Sequence, residues 1–220
     1  MTEADEAKRA VGFAAVDAFV RPGMCVGLGT GTTARWAVAR VGERVAAGED
    51  LVAVPTSEAT ARQCRELKIP LIPLGERAIG VAIDGADEVA PDWALTKGGG
   101  GAHFREKAVA LAAERFVVVV TPEKLVDALG AFPTPVEVVP FTLDVVRGAI
   151  EAAHPGVAVS RRRAGETAFV TDNGNAILDC PFGAIGDPAA VDAELRAIHG
   201  VVGTGLFAPS LTAHVLVADP

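Results

Sequence analysis

Residues 24–34 read Met24-Cys25-Val26-Gly27-Leu28-Gly29-Thr30-Gly31-Thr32-Thr33-Ala34. An apolar run of strand length ends in a turn of glycines and threonines, and a helical pattern over 34–45 opens directly behind it. Strand, polar turn and helix in that order are the first half of a βαβ unit, the connection that parallel strands require. The alternation continues on both sides of this stretch. Upstream, residues 7–20 place Val11, Ala14, Ala15, Ala18 and Phe19 on one helical face and stop at Arg21-Pro22-Gly23. Downstream, 51–54, 79–83 and 116–120 are further apolar strands, each followed by a polar turn.

Those turns are Gly29-Thr30-Gly31-Thr32-Thr33, Thr56-Ser57-Glu58, Asp84-Gly85-Ala86-Asp87 and Thr121-Pro122-Glu123-Lys124. Ligands of open α/β sheets bind outside the carboxyl ends of the strands, so the four turns are expected to converge on one cleft. After Pro133 the pattern changes to a helix near 144–153, two strands around Asp172-Asn173-Gly174-Asn175, and a helix opened by Asp187-Pro188. The order strand-helix-strand-strand-helix-strand predicts a small domain of ferredoxin-like type. Residues 205–207 and 215–218 are assigned back to the first domain. The expected fold is therefore α/β: a Rossmann-like, mostly parallel sheet over 1–131 plus 205–220, with a second, smaller α+β (ferredoxin-like) domain over 132–204.

A chain of 220 residues, half of them apolar, can bury a sizeable core and still carry a pocket. The formal charge of -8 argues against a protein that neutralises nucleic-acid phosphates. Arg161, Arg162 and Arg163 are the one basic exception and read as a solvated strand edge. The acidic start has no apolar signal-peptide core, and no run approaches the ~18 apolar residues of a membrane span, so a cytoplasmic protein without membrane partners is expected. Cys25, Cys64 and Cys180 lack paired spacing and read as small buried hydrophobes. His103, His154, His199 and His214 are equally dispersed; no metal centre and no cofactor are expected.

The turn 29–33 offers backbone N–H groups, three hydroxyls and a helix N-terminus, a combination that suits an anion such as phosphate, though a tight turn without ligand has the same look. It lacks both the Gly-Lys-Ser/Thr ending of a triphosphate loop and the glycine spacing of dinucleotide binders. Asp84, Asp87 and Glu88 crowd one strand end, where repulsion strengthens the hold of at least one carboxyl on its proton. An acid or base, a capped turn and a magnesium site all remain open on that pattern. Lys97-Gly98-Gly99-Gly100-Gly101 is more specific, because four successive glycines destabilise any regular element and suit a close backbone approach to a ligand. A helix over 104–115 follows, with Glu106 and Lys107 in its first turns. There are five lysines against fifteen arginines, yet Lys97 and Lys124 both fall at these turns.

Taken in order, Gly-Leu-Gly-Thr-Gly-Thr-Thr, Asp-Gly-Ala-Asp-Glu, Lys-Gly-Gly-Gly-Gly with Arg105-Glu106-Lys107, the run 132–138 (Phe-Pro-Thr-Pro-Val-Glu-Val) and Thr171-Asp172-Asn173-Gly174-Asn175 resemble type A ribose-5-phosphate isomerases over almost the whole chain. The resemblance implies a metal-independent aldose-ketose isomerase with a phosphosugar substrate and a homo-oligomeric state, dimer or tetramer. It further implies that Thr30, Gly31, Thr32, Thr33, Asp84, Gly85, Ala86, Asp87, Lys97, Gly98, Gly99 and Gly100 line the substrate site, with Lys124 and, more loosely, Lys8. Glu106 is implied as the proton-transferring base, with Lys97, Asp84 and Asp87 as its catalytic partners. Two departures are Thr32, where the family commonly has Ser, and a chain that stops soon after Val217. A non-catalytic sugar-phosphate sensor is the alternative, and it would need a DNA-binding module for which no spare segment is visible.

Overall fold

The computed structural model describes residues 2–219. In chain order the elements are α1 (Glu3–Phe19), β1 (Cys25–Leu28), α2 (Ala34–Ala46), β2 (Val52–Pro55), α3 (Glu58–Glu66), β3 (Ile79–Asp84), β4 (Glu88–Val89), β5 (Leu95–Thr96), α4 (His103–Ala112) and β6 (Phe116–Val120). They continue as β7 (Thr134–Val138), α5 (Leu143–Ala153), β8 (Ser160–Arg161), β9 (Arg163–Ala164), β10 (Thr167–Ala168), β11 (Ala176–Cys180), α6 (Pro188–Ala197), β12 (Val201–Thr204), β13 (Leu206–Phe207) and β14 (His214–Val217). The chain divides into two compact units, one running through Ala86, over Arg105–Leu125 and from Ser210 on, the other Asp87–Phe104 with Val126–Pro209.

The first unit is built on five parallel strands in the order β14-β6-β3-β1-β2. Val26 and Leu28 of β1, Val81 and Ile83 of β3, and Val117 and Val119 of β6 pack under Val11, Ala15 and Val16 of α1 and Ala37, Val38 and Val41 of α2. Residues alternate across a strand, so Gly27 and Ala82 face the other way, and there α4 lies so close that a Cβ on Gly27 would be 2.5 Å from Val109. Cys64 and Cys180 are fully buried, and burial pushes their thiols up to about 11 and about 12.

The sheet of the second unit has the order β12-β7-β11-β8 with antiparallel pairs throughout, and α5 and α6 complete the βαββαβ sequence of a ferredoxin-like fold. Val136, Val138, Ala176, Leu178 and Cys180 meet Val146 and Ile150 of α5 and Leu195 of α6 in its core. A smaller sheet, β13-β5-β4, carries the start of the glycine run.

Local chemistry moves several boundaries. Thr2 accepts the Asp5 N–H as an N-cap, and Glu3, Asp5 and Glu6 suit the positive helix start, so α1 begins four residues before its apolar stripe. Ser57 likewise caps α3, a helix hidden behind what reads as a polar turn. Helix α4 ends at Ala112 because the Glu114 N–H leaves to bond Ile79 O. The run 171–175 is a tight turn, closed by the Thr171 N–H on Asn175 O, but not the tip of a two-strand hairpin: β11 pairs with β8, and β9 and β10 form a separate ribbon.

Candidate active site

Strands β2, β1, β3 and β6 are neighbours running one way, so the turns behind them share one edge of the sheet. At the end of β1 the Gly29 N–H donates to Ile83 O at 2.9 Å and the Thr30 N–H to Asp84 Oδ1 at 3.0 Å. Asp84, the last residue of β3, is 2% exposed, and the same oxygen accepts the Gly85 N–H at 2.7 Å. A Cβ on Gly29 would fall on the Asp84 carboxyl, which is why glycine stands there. The Thr30 hydroxyl is 2.8 Å from both the Thr56 and Ser57 hydroxyls and 3.1 Å from that of Thr60, so it serves the turn itself. Gly31 and Thr32 are exposed and Thr33 is half-buried, directly ahead of α2. The Thr32 and Thr33 hydroxyls and the start of α2 are thus the parts of this loop that the hydroxyl cluster leaves out.

Glu106 sits in the first turn of α4 and is 5% exposed. It lies three residues before Val109, on the helical face that packs over Gly27. The far end of α4 is fixed against the start of β3 by the Glu114 N–H on Ile79 O at 2.8 Å. Eight helical residues rise ~12 Å and five strand residues ~16 Å, so Glu106 is carried toward the end of β3, where Asp84 stands. Its carboxyl therefore stands buried at the positive end of the helix.

At the end of β6, Lys124 closes a 3₁₀ turn, Pro122–Lys124, and is half-buried. The Thr121 hydroxyl, donating at 2.5 Å, holds Glu123 below the usual carboxylate range, with its backbone N–H and then the cations of Lys124 and Lys8 acting in the same direction. Lys8, on α1, lines an open cleft of about 550 Å³ with Thr121, Pro122 and Glu123. The two lysines are thus gathered around one turn.

In the second unit Asp87 is half-buried, and its Oδ2 accepts the Gly99 N–H at 2.7 Å. A Cβ on Gly99 would come within 2.6 Å of Asp87 Oδ1 and one on Gly98 within 2.7 Å of His103 Nδ1, so both glycines answer to close approach. Gly99 and Gly100 are exposed, whereas Lys97 is 2% exposed, its N–H on Gly205 O and its Nζ 5.8 Å above the Phe207 ring. Ala86 is half-buried in the turn behind Asp84.

Glu88 has a different role from the acid or metal ligand its neighbours suggest. It is 3% exposed, and its carboxylate accepts from the Thr96 hydroxyl and from the N–H groups of Gly130 and Phe132 at 2.7–2.9 Å. Among the described residues no three His, Cys, Asp or Glu side chains gather as metal ligands would. The arginine triplet is also corrected in part: Arg161 and Arg163 are exposed, but the Arg162 side chain is 12% exposed and bonded to Asp179, Gly98 and Gly99. No property of the sequence near 162 marks it, because its partners lie about 17 and 63 residues away and only the β8–β11 pairing joins them.

A parallel sheet with hydroxyl- and glycine-rich loops at its carboxyl edge, a buried carboxylate at a helix start and two lysines gathered at a strand-end turn place this chain among α/β proteins whose polar groups collect at the carboxyl ends of the strands. The family model for ribose 5-phosphate isomerase A (phosphoriboisomerase A) matches residues 52–220. The ribose-5-phosphate isomerase A of Parvibaculum lavamentivorans is 46% identical over 210 residues, covering 93% of this chain and 90% of that one. Among solved structures, ribose 5-phosphate isomerase A from Methanocaldococcus jannaschii aligns with a TM-score of 0.89 at 38% identity, over 97% of this chain and 95% of that one. A D-ribose-5-phosphate isomerase in complex with phospho-erythronic acid aligns at 0.91 and 36% identity, over 97% and 94%. The chain belongs to the ribose 5-phosphate isomerase A family.

Proposed function

We propose that this protein interconverts D-ribose 5-phosphate and D-ribulose 5-phosphate through an enediolate, with Glu106 as the one base that serves both carbons. The buried carboxylate of Glu106 in the first turn of α4 carries this reading. Glu106 takes the proton from C2 of the open-chain aldose and returns it to C1, while charge develops on the neighbouring oxygen. Lys97 and the N–H groups of the glycine run stabilise that oxyanion, and Asp84 or Asp87 moves the proton that opens the furanose ring. Thr32, Thr33 and the α2 N-terminus, with Lys124 and Lys8, hold the phosphate end. Gly31, Gly85 and Ala86 complete the lining. Proton-transfer groups supply ~10²–10⁴-fold each and an oxyanion donor ~10²–10³-fold, which is sufficient for a proton bound to a sugar carbon.

Phospho-erythronic acid, bound by a structural relative, is one carbon shorter than the substrate and bears a carboxylate in the enediolate's place. It is expected to inhibit this protein competitively. The direct test is ketose formation from ribose 5-phosphate by the purified chain, run with and without exhaustive chelation. Full turnover in both is expected; loss with EDTA and recovery with magnesium would move Asp84 and Asp87 to a metal-binding role.

The site of action is proposed to be the cytoplasm; among the described residues no helix is long and apolar enough to cross a membrane. A homodimer or tetramer is proposed as well. Val139, Phe141 and Val145 support it, standing 41%, 96% and 72% exposed at the entry to α5, where a single subunit leaves apolar surface in water. Light scattering should give at least twice the 22.5 kDa chain mass, and a monomer at micromolar concentration would refute the assembly.

A further inference from the structure

The glycine run is held from behind by a side chain with no place in the chemistry above. Residues 98–101 form a turn closed by the Gly101 N–H on Gly98 O at 2.9 Å. Gly98 and Gly101 have φ of +104° and +78°, in the left-handed region that favours glycine. Arg162 Nη1 donates to Gly98 O at 2.5 Å and to Gly99 O at 3.2 Å. Its other edge is forked onto Asp179, Nε to Oδ2 at 3.0 Å and Nη2 to Oδ1 at 2.5 Å. The backbone of Arg162 is fixed too, its N–H on Ile177 O and its carbonyl accepting the Phe169 N–H. The guanidinium is therefore a rigid bracket between β11 and the turn.

The consequence follows from peptide geometry. In a trans peptide the C=O and N–H point in opposite directions. Gly98 O faces Arg162, and the N–H of that peptide, on Gly99, points the other way onto Asp87 Oδ2. Gly99 O also faces Arg162, so the Gly100 N–H is turned away from the guanidinium, in an exposed stretch and with no protein partner among the described residues. A cation on both carbonyls also polarises these peptides, making their N–H groups stronger donors.

We propose that Arg162, locked by Asp179, is a positioning residue of the isomerase: it acts through the glycine turn, setting the Gly100 N–H as an oxyanion donor and Asp87 in its orientation. The proposal rests on the isomerase reading of the site. Losing a preorganised oxyanion donor costs ~10²–10³-fold in turnover. Arg162→Ala should accordingly lower kcat by about 10²-fold, with KM for ribose 5-phosphate changed by less than about threefold. Affinity for phospho-erythronic acid should fall with it, whereas affinity for ribitol 5-phosphate, which has no carboxylate, should hold. Added guanidinium at a non-denaturing concentration should restore part of kcat in Arg162→Ala and leave wild type unchanged.

Arg162→Lys, which keeps the charge but cannot fork to both partners, should fold and lose about tenfold in kcat. It decides the matter alone if the alanine variant does not fold. Full turnover in Arg162→Lys, or equal loss of phospho-erythronic acid and ribitol 5-phosphate binding in either variant, would overturn the proposal. A wild-type protein without ribose 5-phosphate isomerase activity would instead sink the reading on which it rests, before any variant is compared.

Discussion

Glu106→Gln should lower turnover of ribose 5-phosphate by about 10²–10⁴-fold while leaving KM within about threefold of wild type. Glutamine keeps the shape and hydrogen-bonding reach of glutamate, so the first turn of α4 and its packing over Gly27 are undisturbed; only the basic oxygen is lost. A general base acts in the transition state and contributes little to ground-state binding, so the effect belongs in kcat. Steady-state kinetics on this variant and on wild type measures it directly. Near-full activity in Glu106→Gln would shift the base to Asp84 or Asp87, whichever substitution then abolishes turnover.

The largest effect on stability is expected at Glu137, a fully buried carboxylate on β7 in the middle of the small sheet. Its Oε1 accepts from the Thr171 hydroxyl at 3.0 Å, Asn173 Nδ2 at 3.0 Å and Asn175 Nδ2 at 2.9 Å. One buried acceptor thus organises the whole tight turn that precedes β11. Glu137→Ala strands these donors, each at ~1–3 kcal/mol where water cannot reach it. Asn173 is exposed and can turn to solvent, so a net loss of about 3 kcal/mol in urea unfolding is expected. Glu137→Gln retains a carbonyl acceptor and should lose about 1 kcal/mol. Equal stability of Glu137→Ala and wild type would mean that the turn is held by its own backbone bonds.

This pair of residues also marks how far the sequence can be read. Glu106 is legible as a residue in the first turns of a helix directly behind a glycine run, all within ten residues, and its proposed role comes from the family resemblance. The parallel sheet is legible for a similar reason: strand, polar turn and helix succeed one another locally, and the βαβ rule does the rest. Glu137 and Thr171 are visible as motif members, but what each motif does depends on the β7–β11 pairing that brings them together. The acidic pair at 87 and 88 shows the same limit. Asp87 ends the turn before β4 and reaches the glycine turn, while Glu88, the first residue of β4, is buried against Gly130 and Phe132, and no local pattern separates the two. Arg162 is the extreme case, since three successive arginines read as a charged edge and only the fold turns the middle one inward. The missed start of α1 and the missed α3 have a simpler cause: their first turns are capped and charged, and apolar periodicity does not register them.

The central claim is that one carboxylate moves the proton through an enediolate, and isotope exchange tests it most directly. Wild-type protein, freed of divalent ions by chelation, would be run to equilibrium with ribose 5-phosphate in D₂O, so that each sugar is interconverted many times, and the ribulose 5-phosphate analysed by NMR. Deuterium at C1 is the expected result, because a carboxylic acid that has taken the C2 proton exchanges it with solvent in some turnovers before giving it back. Ribulose 5-phosphate free of deuterium after such repeated turnover would point to transfer of hydrogen directly between the carbons and would contradict the account.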